Sequence, residues 1–235
     1  MSIDIGIILT GTIVPNSTFV VHSDIDKRRL EYLEAIKFYK KFAPVYFLEN
    51  SSYPLLSDPD FNDIKGVFLR KFPVSQYYNR GKGYQEFEMI KRWLETDSDI
   101  PRRFIKITGR YRILNFKDMF DECMRSQSNH FLIDRFLKDS KALTQLFYVH
   151  TDYYRALSDF YLDCNDENGD WAEFVLHKKM LALQVNSMIF RHEPFFAGRS
   201  GSTGANLYDG SVKHFVKSMV RKINRCLSKK YILFH

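Results

Sequence analysis

Cysteine is scarce in this chain: 235 residues contain only Cys123, Cys164 and Cys226, with no CxxC spacing. That odd, scattered set excludes a disulfide framework and a cysteine-built zinc site, and fits a reducing compartment. No apolar run approaches the ~20 residues that cross a bilayer. The run at residues 5–9 follows Asp4 without a basic flank, which is not a signal-peptide pattern. The chain is therefore expected in the cytoplasm. No P-loop is present, and the Gly- and Ser-rich stretch at 198–204 lacks the Lys-Ser/Thr ending of one. It is read as a lid or a connector. Acidic residues are missing from positions 211–235, which carry seven Lys and Arg, while the other 28 basic residues face 28 acidic ones. The net charge of +7 thus belongs to the C-terminal segment, and a balanced body argues against nucleic acid as a partner.

Aromatic residues are abundant, with 21 Phe and 14 Tyr, enough apolar area for a well-buried core. Residues 3–13 are β-branched and almost continuously apolar, the mark of a strand buried on both faces. Residues 26–42 set Leu30, Leu33, Ile36 and Tyr39 on one side of a helix that ends before Pro44. Residues 45–48 and 66–72 read as strands, 83–94 as a helix and 104–113 as a fourth strand. Beyond residue 115 the pattern loosens. Helices are predicted at 116–124, 153–162 and 171–183, and a short strand at 146–149. This alternation predicts an α/β fold with a mostly parallel sheet and helices on both faces. Ligands of such sheets bind at the carboxyl ends of the strands, here Thr10, Thr12, Glu49, Asn50, Lys71 and Arg110. The loop Gly81-Lys82-Gly83 opens a helix, and a helix N-terminus beside a lysine is a ready anion site. With Arg110 converging from the next strand, a phosphorylated ligand is predicted.

The strand and helix order, with Leu9-Thr10-Gly11-Thr12-Ile13, Glu49-Asn50-Ser51, Gly81-Lys82-Gly83-Tyr84 and Lys106-Ile107-Thr108-Gly109-Arg110-Tyr111, resembles the nucleotide-sugar half of GT-A glycosyltransferases. The same segments also look like those of bacterial enzymes of surface-polysaccharide (capsule or lipopolysaccharide) assembly, over about residues 3–115. The resemblance implies a GT-A-like, Rossmann-like catalytic domain over residues 1–210, with a nucleotide-sugar half to about 115 and an acceptor half to 210. It places Thr10 and Thr12 under the nucleotide, Glu49, Asn50 and Ser51 by the base or ribose, and Lys82 and Gly83 at the diphosphate or sugar. Most such enzymes carry an Asp-x-Asp motif at the fourth strand to hold a divalent metal, Mn or Mg; this chain has Thr108-Gly109-Arg110-Tyr111. Arg and Lys can stabilise the same developing charge. Arg110 and Lys82 are therefore read as replacing the metal, and no cofactor is expected to be required.

The acid–base candidate is Glu173, at the start of a helix in the acceptor half, with Asp170 as the alternative or as a helix cap. His150-Thr151-Asp152 is a second cluster for an acceptor or a metal. Residues 211–228 put Val212, Phe215, Val216, Met219, Ile223 and Leu227 on one helical face and Lys213, Lys217, Arg221, Lys222 and Arg225 on others. This basic amphipathic helix suits the anionic inner surface of the cell membrane. The expected activity is transfer of a sugar from a nucleoside diphosphate donor to a bacterial, lipid-linked glycan. A nucleic-acid-binding protein using the basic tail and a non-catalytic carbohydrate-binding protein of the same fold are the alternatives.

Overall fold

The computed structural model describes residues 3–15, 23–126, 131–198 and 212–233. The chain runs through β1 (Ile5–Gly11), α1 (Ile25–Tyr39), β2 (Val45–Glu49), a one-turn α2 (Pro59–Asn62), β3 (Val67–Lys71), α3 (Lys82–Thr96) and β4 (Arg103–Thr108). It continues with β5 (Arg112–Ile113), α4 (Phe116–Arg125), β6 (Phe131–Phe136), β7 (Lys141–His150), α5 (Thr151–Arg155), α6 (Ala172–Ala182), β8 (Ser187–Met188), β9 (Phe196–Ala197) and α7 (Val212–Leu227).

Seven strands form one sheet in the order β3-β2-β1-β4-β7-β6-β8. Its first four strands are parallel, β7 is antiparallel to both neighbours, and β8 joins β6 in parallel. The side-chain period of a strand then divides β1 between two cores. Ile5, Ile7 and Leu9 pack with α1 and α4, whereas Ile8 packs with α3 and α6 on the other face. Chain order reverses beside β1, with β2 on one side and β4 on the other. That switch opens a crevice at the carboxyl ends of β1 and β4.

Three expectations are corrected by the structure. Leu30 is 54% exposed, and the buried side of α1 holds Arg28 with Tyr32, Leu33, Ile36 and Tyr39. The fourth strand stops at Thr108, so Gly109 and Arg110 lie in a turn tied to β1 by the Gly109 amide donating to the Thr10 carbonyl (2.9 Å). Residues 153–162, predicted as a helix, form the end of α5 and a 3-10 segment at Ser158–Asp163.

Helix α7 seats on the domain through its polar side. Arg221, only 3% exposed, donates to both carboxylate oxygens of Asp134 on β6 (2.7 and 2.8 Å) and to Glu193 (2.5 Å). Arg225 pairs with Glu122 of α4 (3.1 Å). Val216, Met219, Ile223 and Leu227 are left 51–70% exposed. A helix usually buries its apolar stripe; here the inward side is the one whose arginines reach Asp134, Glu193 and Glu122. The side chains of Val212, Lys213 and Phe215, and residues 199–204 of the Gly- and Ser-rich stretch, lie outside the described residues.

Candidate active site

A cavity of about 720 Å³ fills the crevice at the ends of β1 and β4, within the usual range for small-molecule sites. Its walls come from the first turns of α1, α3 and α6, the turn after β4, and β7. Thr10, Thr12, Lys82, Gly83, Arg110 and Glu173 all line it. Glu49, Asn50 and Ser51 do not.

Those three are buried beneath the loop that follows β1. The Glu49 carboxylate, fully buried, accepts from the backbone amides of Ile13 (3.1 Å) and Ser51 (3.0 Å) and pairs with Lys71 (2.5 Å). The Asn50 amide oxygen accepts from the Thr12 hydroxyl (2.8 Å), and the Ser51 hydroxyl accepts from the Val14 amide (3.1 Å). Their polar atoms are occupied in shaping the loop that carries Thr12.

The cationic wall has three members. Arg110 is 7% exposed and pairs with Glu31 of α1 (2.9 Å). Arg28, which the sequence does not single out, is 5% exposed and donates to the carbonyls of Thr12 and Ile13 (3.0 Å to the latter). Lys82 stands at the first position of α3. Burial pushes the Lys82 ammonium below the ordinary lysine range; Asp166 opposes that shift, and Arg28 and Arg110 add to it. Burial likewise lowers Arg28, against Tyr32 and with Arg110. Burial also acts to lower Arg110, but Tyr32, Tyr111 and Glu31 outweigh it, and the net shift is upward. Arg28 and Arg110 make the Lys82 charge more costly, and Arg110 does the same to Arg28. A ligand with two or more negative charges would offset that cost.

The helix terminus itself is not vacant for an anion. The Asp166 carboxylate accepts from the Lys82 amide (3.0 Å), so a side chain already caps α3. Gly81 is required there: its φ is +97°, and a Cβ would collide with Asp166. Burial raises Asp166 above the usual carboxylate range, with the Lys82 amide and ammonium acting against it. Gly83 lets α3 approach α6, since a Cβ would stand 2.7 Å from that of Ala172. Both helices thereby point their first turns into one cavity.

The floor is a polar network. Lys106, fully buried in β4, donates to the Thr144 carbonyl (2.7 Å) and pairs with Glu86 of α3 (2.7 Å). Glu86 also accepts from the Thr10 hydroxyl. A lysine inside the apolar run Phe104-Ile105-Lys106-Ile107 was the available signal that a buried carboxylate faces this strand. Glu173, in the first turn of α6, accepts from the Thr144 hydroxyl (3.2 Å). The N-cap of α6 is Trp171, not Asp170, whose backbone pairs with Asn165 (2.9 and 3.0 Å). His150 and Asp152 stand 4.0 Å apart and do not line the cavity.

Three cavity carboxylates already have protein partners. Glu86 is held by Lys106 and Thr10, Asp166 by the Lys82 amide and Glu173 by Thr144. Among the described residues, no group of three or more His, Cys, Asp or Glu is arranged to hold a metal ion. Also among the described residues, no helix is long and apolar enough to cross a membrane.

No family model matches this chain, and no curated protein matches it in sequence. Solved structures do. A protein of Desulfovibrio desulfuricans G20 described as a nucleotide-diphospho-sugar transferase aligns over 81% of this chain and 80% of its own, at 12% identity and a TM-score of 0.49. Mouse xyloside xylosyltransferase 1, in its apo form, aligns over 81% of this chain and 85% of its own, at 8% identity and a TM-score of 0.45.

Proposed function

We propose that this protein is a GT-A-like glycosyltransferase that takes a sugar from a nucleoside diphosphate donor. The observation that carries the reading is the convergence of Arg28, Lys82 and Arg110 on one cavity that a carboxylate, Glu173, also lines. In a single displacement the acceptor hydroxyl oxygen bonds to the anomeric carbon as the bond from that carbon to the diphosphate oxygen breaks. The bonding pair leaves with the diphosphate, whose growing charge meets the three cations, while Glu173 takes the hydroxyl proton. Arg110 and Lys82 do the work that a divalent ion does elsewhere. Thr10 and Thr12 lie under the nucleotide, and Glu49, Asn50 and Ser51 serve it by holding that loop.

The acceptor in this reading is a growing bacterial glycan, lipid-linked, of the capsule or lipopolysaccharide kind. The exposed stripe Val216, Met219, Ile223 and Leu227, with Lys222 beside it, supports a peripheral seat on an anionic membrane surface.

Thermal shift against a panel of nucleoside diphosphates and their sugars tests the reading. The right nucleotide at 100 times its Kd stabilises the fold by about 2.7 kcal/mol, and no shift from any member sinks it. Arg110→Ala is expected to lower transfer about 100-fold; full transfer from every accepted donor would remove Arg110 from the leaving-group role. Activity is expected to survive EDTA, and its complete loss would call for a metal.

A further inference from the structure

We infer that Trp171 and Phe174 form a stacking platform for a sugar ring of the acceptor. The inference rests on the glycosyltransferase reading for the identity of its ligand. Four observations carry it.

The first is placement. Both rings line the cavity, and Glu173, the carboxylate on that wall, lies between them in the chain. All three open onto the same cavity, so a ring resting on the platform would share it with that carboxylate.

The second is exposure. Trp171 is 52% exposed, whereas Trp93, the other of the two tryptophans, is fully buried. A large aromatic kept out of the core gives up burial that would stabilise the fold. Its neighbour Ala172 is 2% exposed, so the indole stands at the point where an exposed stretch, residues 167–170, meets the packed helix.

The third is a broken local rule. Trp171 occupies the N-cap of α6 and provides no side-chain cap, at a position where Ser, Thr, Asn or Asp normally accepts from the helix amides. Asp170 stands one residue too early to serve. Departures of this kind gather at functional sites.

The fourth is order without a ligand. The indole lies on the Phe174 ring at 5.5 Å with planes 18° apart, so its orientation is set in advance and little conformational freedom is lost on binding. Beyond it, Lys141, Leu143 and Gln145 alternate along β7 as half-buried lining residues, mixing an apolar group with polar ends. A pyranose matches that mixture. One face of the ring is C–H and suits an indole, and its rim of hydroxyls suits Glu173 and Gln145.

Trp171 is also the reporter. Because Trp93 is buried, a change in the exposed component of the emission belongs to Trp171. Maltose, lactose and chitobiose are titrated into the full-length protein, with and without a nucleoside diphosphate. At least one of them is expected to blue-shift or quench that emission saturably. Trp171→Ala is expected to raise the acceptor KM about tenfold or more, Trp171→Phe to recover most of the loss, and both to keep the thermal shift given by nucleoside diphosphate. Silence from all three sugars in a protein that is stabilised by nucleoside diphosphate overturns the platform and leaves the glycosyltransferase reading standing. A response to nucleoside diphosphate alone, without any to sugar, overturns it in favour of the nucleobase. A saccharide response with no nucleotide stabilisation keeps the platform and removes the glycosyltransferase reading.

Discussion

Arg28 and Arg29 are neighbours on α1 with opposite surroundings, and the pair reproduces in miniature a contrast between two regions of the molecule. Arg29 turns outward to Asp58 (2.6 and 2.7 Å) and Asp60 (2.5 Å), and those carboxylates raise its pKa. Arg28 turns inward to backbone carbonyls in the cavity wall, where burial lowers its pKa. The seam under α7 repeats the first situation. Arg221 is as buried as Arg28, yet Asp134 and Glu193 outweigh its desolvation and drive its pKa upward. The cavity repeats the second with Lys82. Burial of a cation is thus common to both regions, and the chemistry of the partner separates them. Arg29 and Arg221 are raised by their carboxylates, whereas burial and neighbouring cations lower Arg28 and Lys82, a cost that an anion from outside would offset. Arg110 lies between the two cases, lining the cavity while paired with Glu31.

The contrast breaks if seam and cavity cations respond alike to mutation. The largest effect is expected at the seam: Arg221→Met leaves Asp134 and Glu193 buried without their cation and costs about 3–5 kcal/mol of stability by urea or thermal unfolding. Replacing Asp134 with Leu as well should recover part of that loss, since an apolar pair carries no stranded charge.

In the cavity the order reverses. Lys82→Met should change stability by less than about 1 kcal/mol while weakening nucleoside diphosphate binding about 10- to 100-fold, read by calorimetry. Lys82 also has a pH signature. Its pKa is depressed, so the cation is present below that value and lost as pH rises through it, sooner than for an ordinary lysine. Diphosphate affinity should fall at alkaline pH, and Lys82→Arg should remove that limb because a guanidinium stays charged.

The smallest effect is expected at the pair Arg29 and Asp58, where Asp58 is only 6% exposed. Arg29 holds the Asp58 carboxyl at about 2, below its ordinary value of 3.8. Its contribution is therefore present above the unfolded value and lost as pH falls through about 2. Asp58→Asn should cost roughly 1–2 kcal/mol at neutral pH, with the gap to the parent protein closing in acid.

Much of the first half was legible in the sequence because its signals are local. A nearly continuous β-branched run marked β1 and short apolar runs marked β2 and β4, and the carboxyl ends of β1 and β4 form the crevice that the strand order implies. Strand β6 was not legible. Asp134 and Arg135 interrupt its apolar run as if it were exposed, yet both are 2% exposed, Asp134 against Arg221 and Arg135 against Ser187 (2.8 Å). Those partners lie 87 and 52 residues away. Arg28 was hidden for the same reason, since it looks like one more charge on a charged helix. Trp171 was passed over because Asp170 made the better cap on local rules.

By itself the sequence determined the alternation of strands and helices, the sheet's parallel first half and the end of it at which the cavity lies. Periodicity and turn chemistry act over a few residues and survive without knowledge of the fold. Only the tertiary structure decided which cations are structural and which face the cavity, that α3 carries its own capping carboxylate in Asp166, and that α7 docks by Arg221 with its apolar stripe outward. A charge takes its meaning from burial and from its partner through space, and here those partners come from distant parts of the chain.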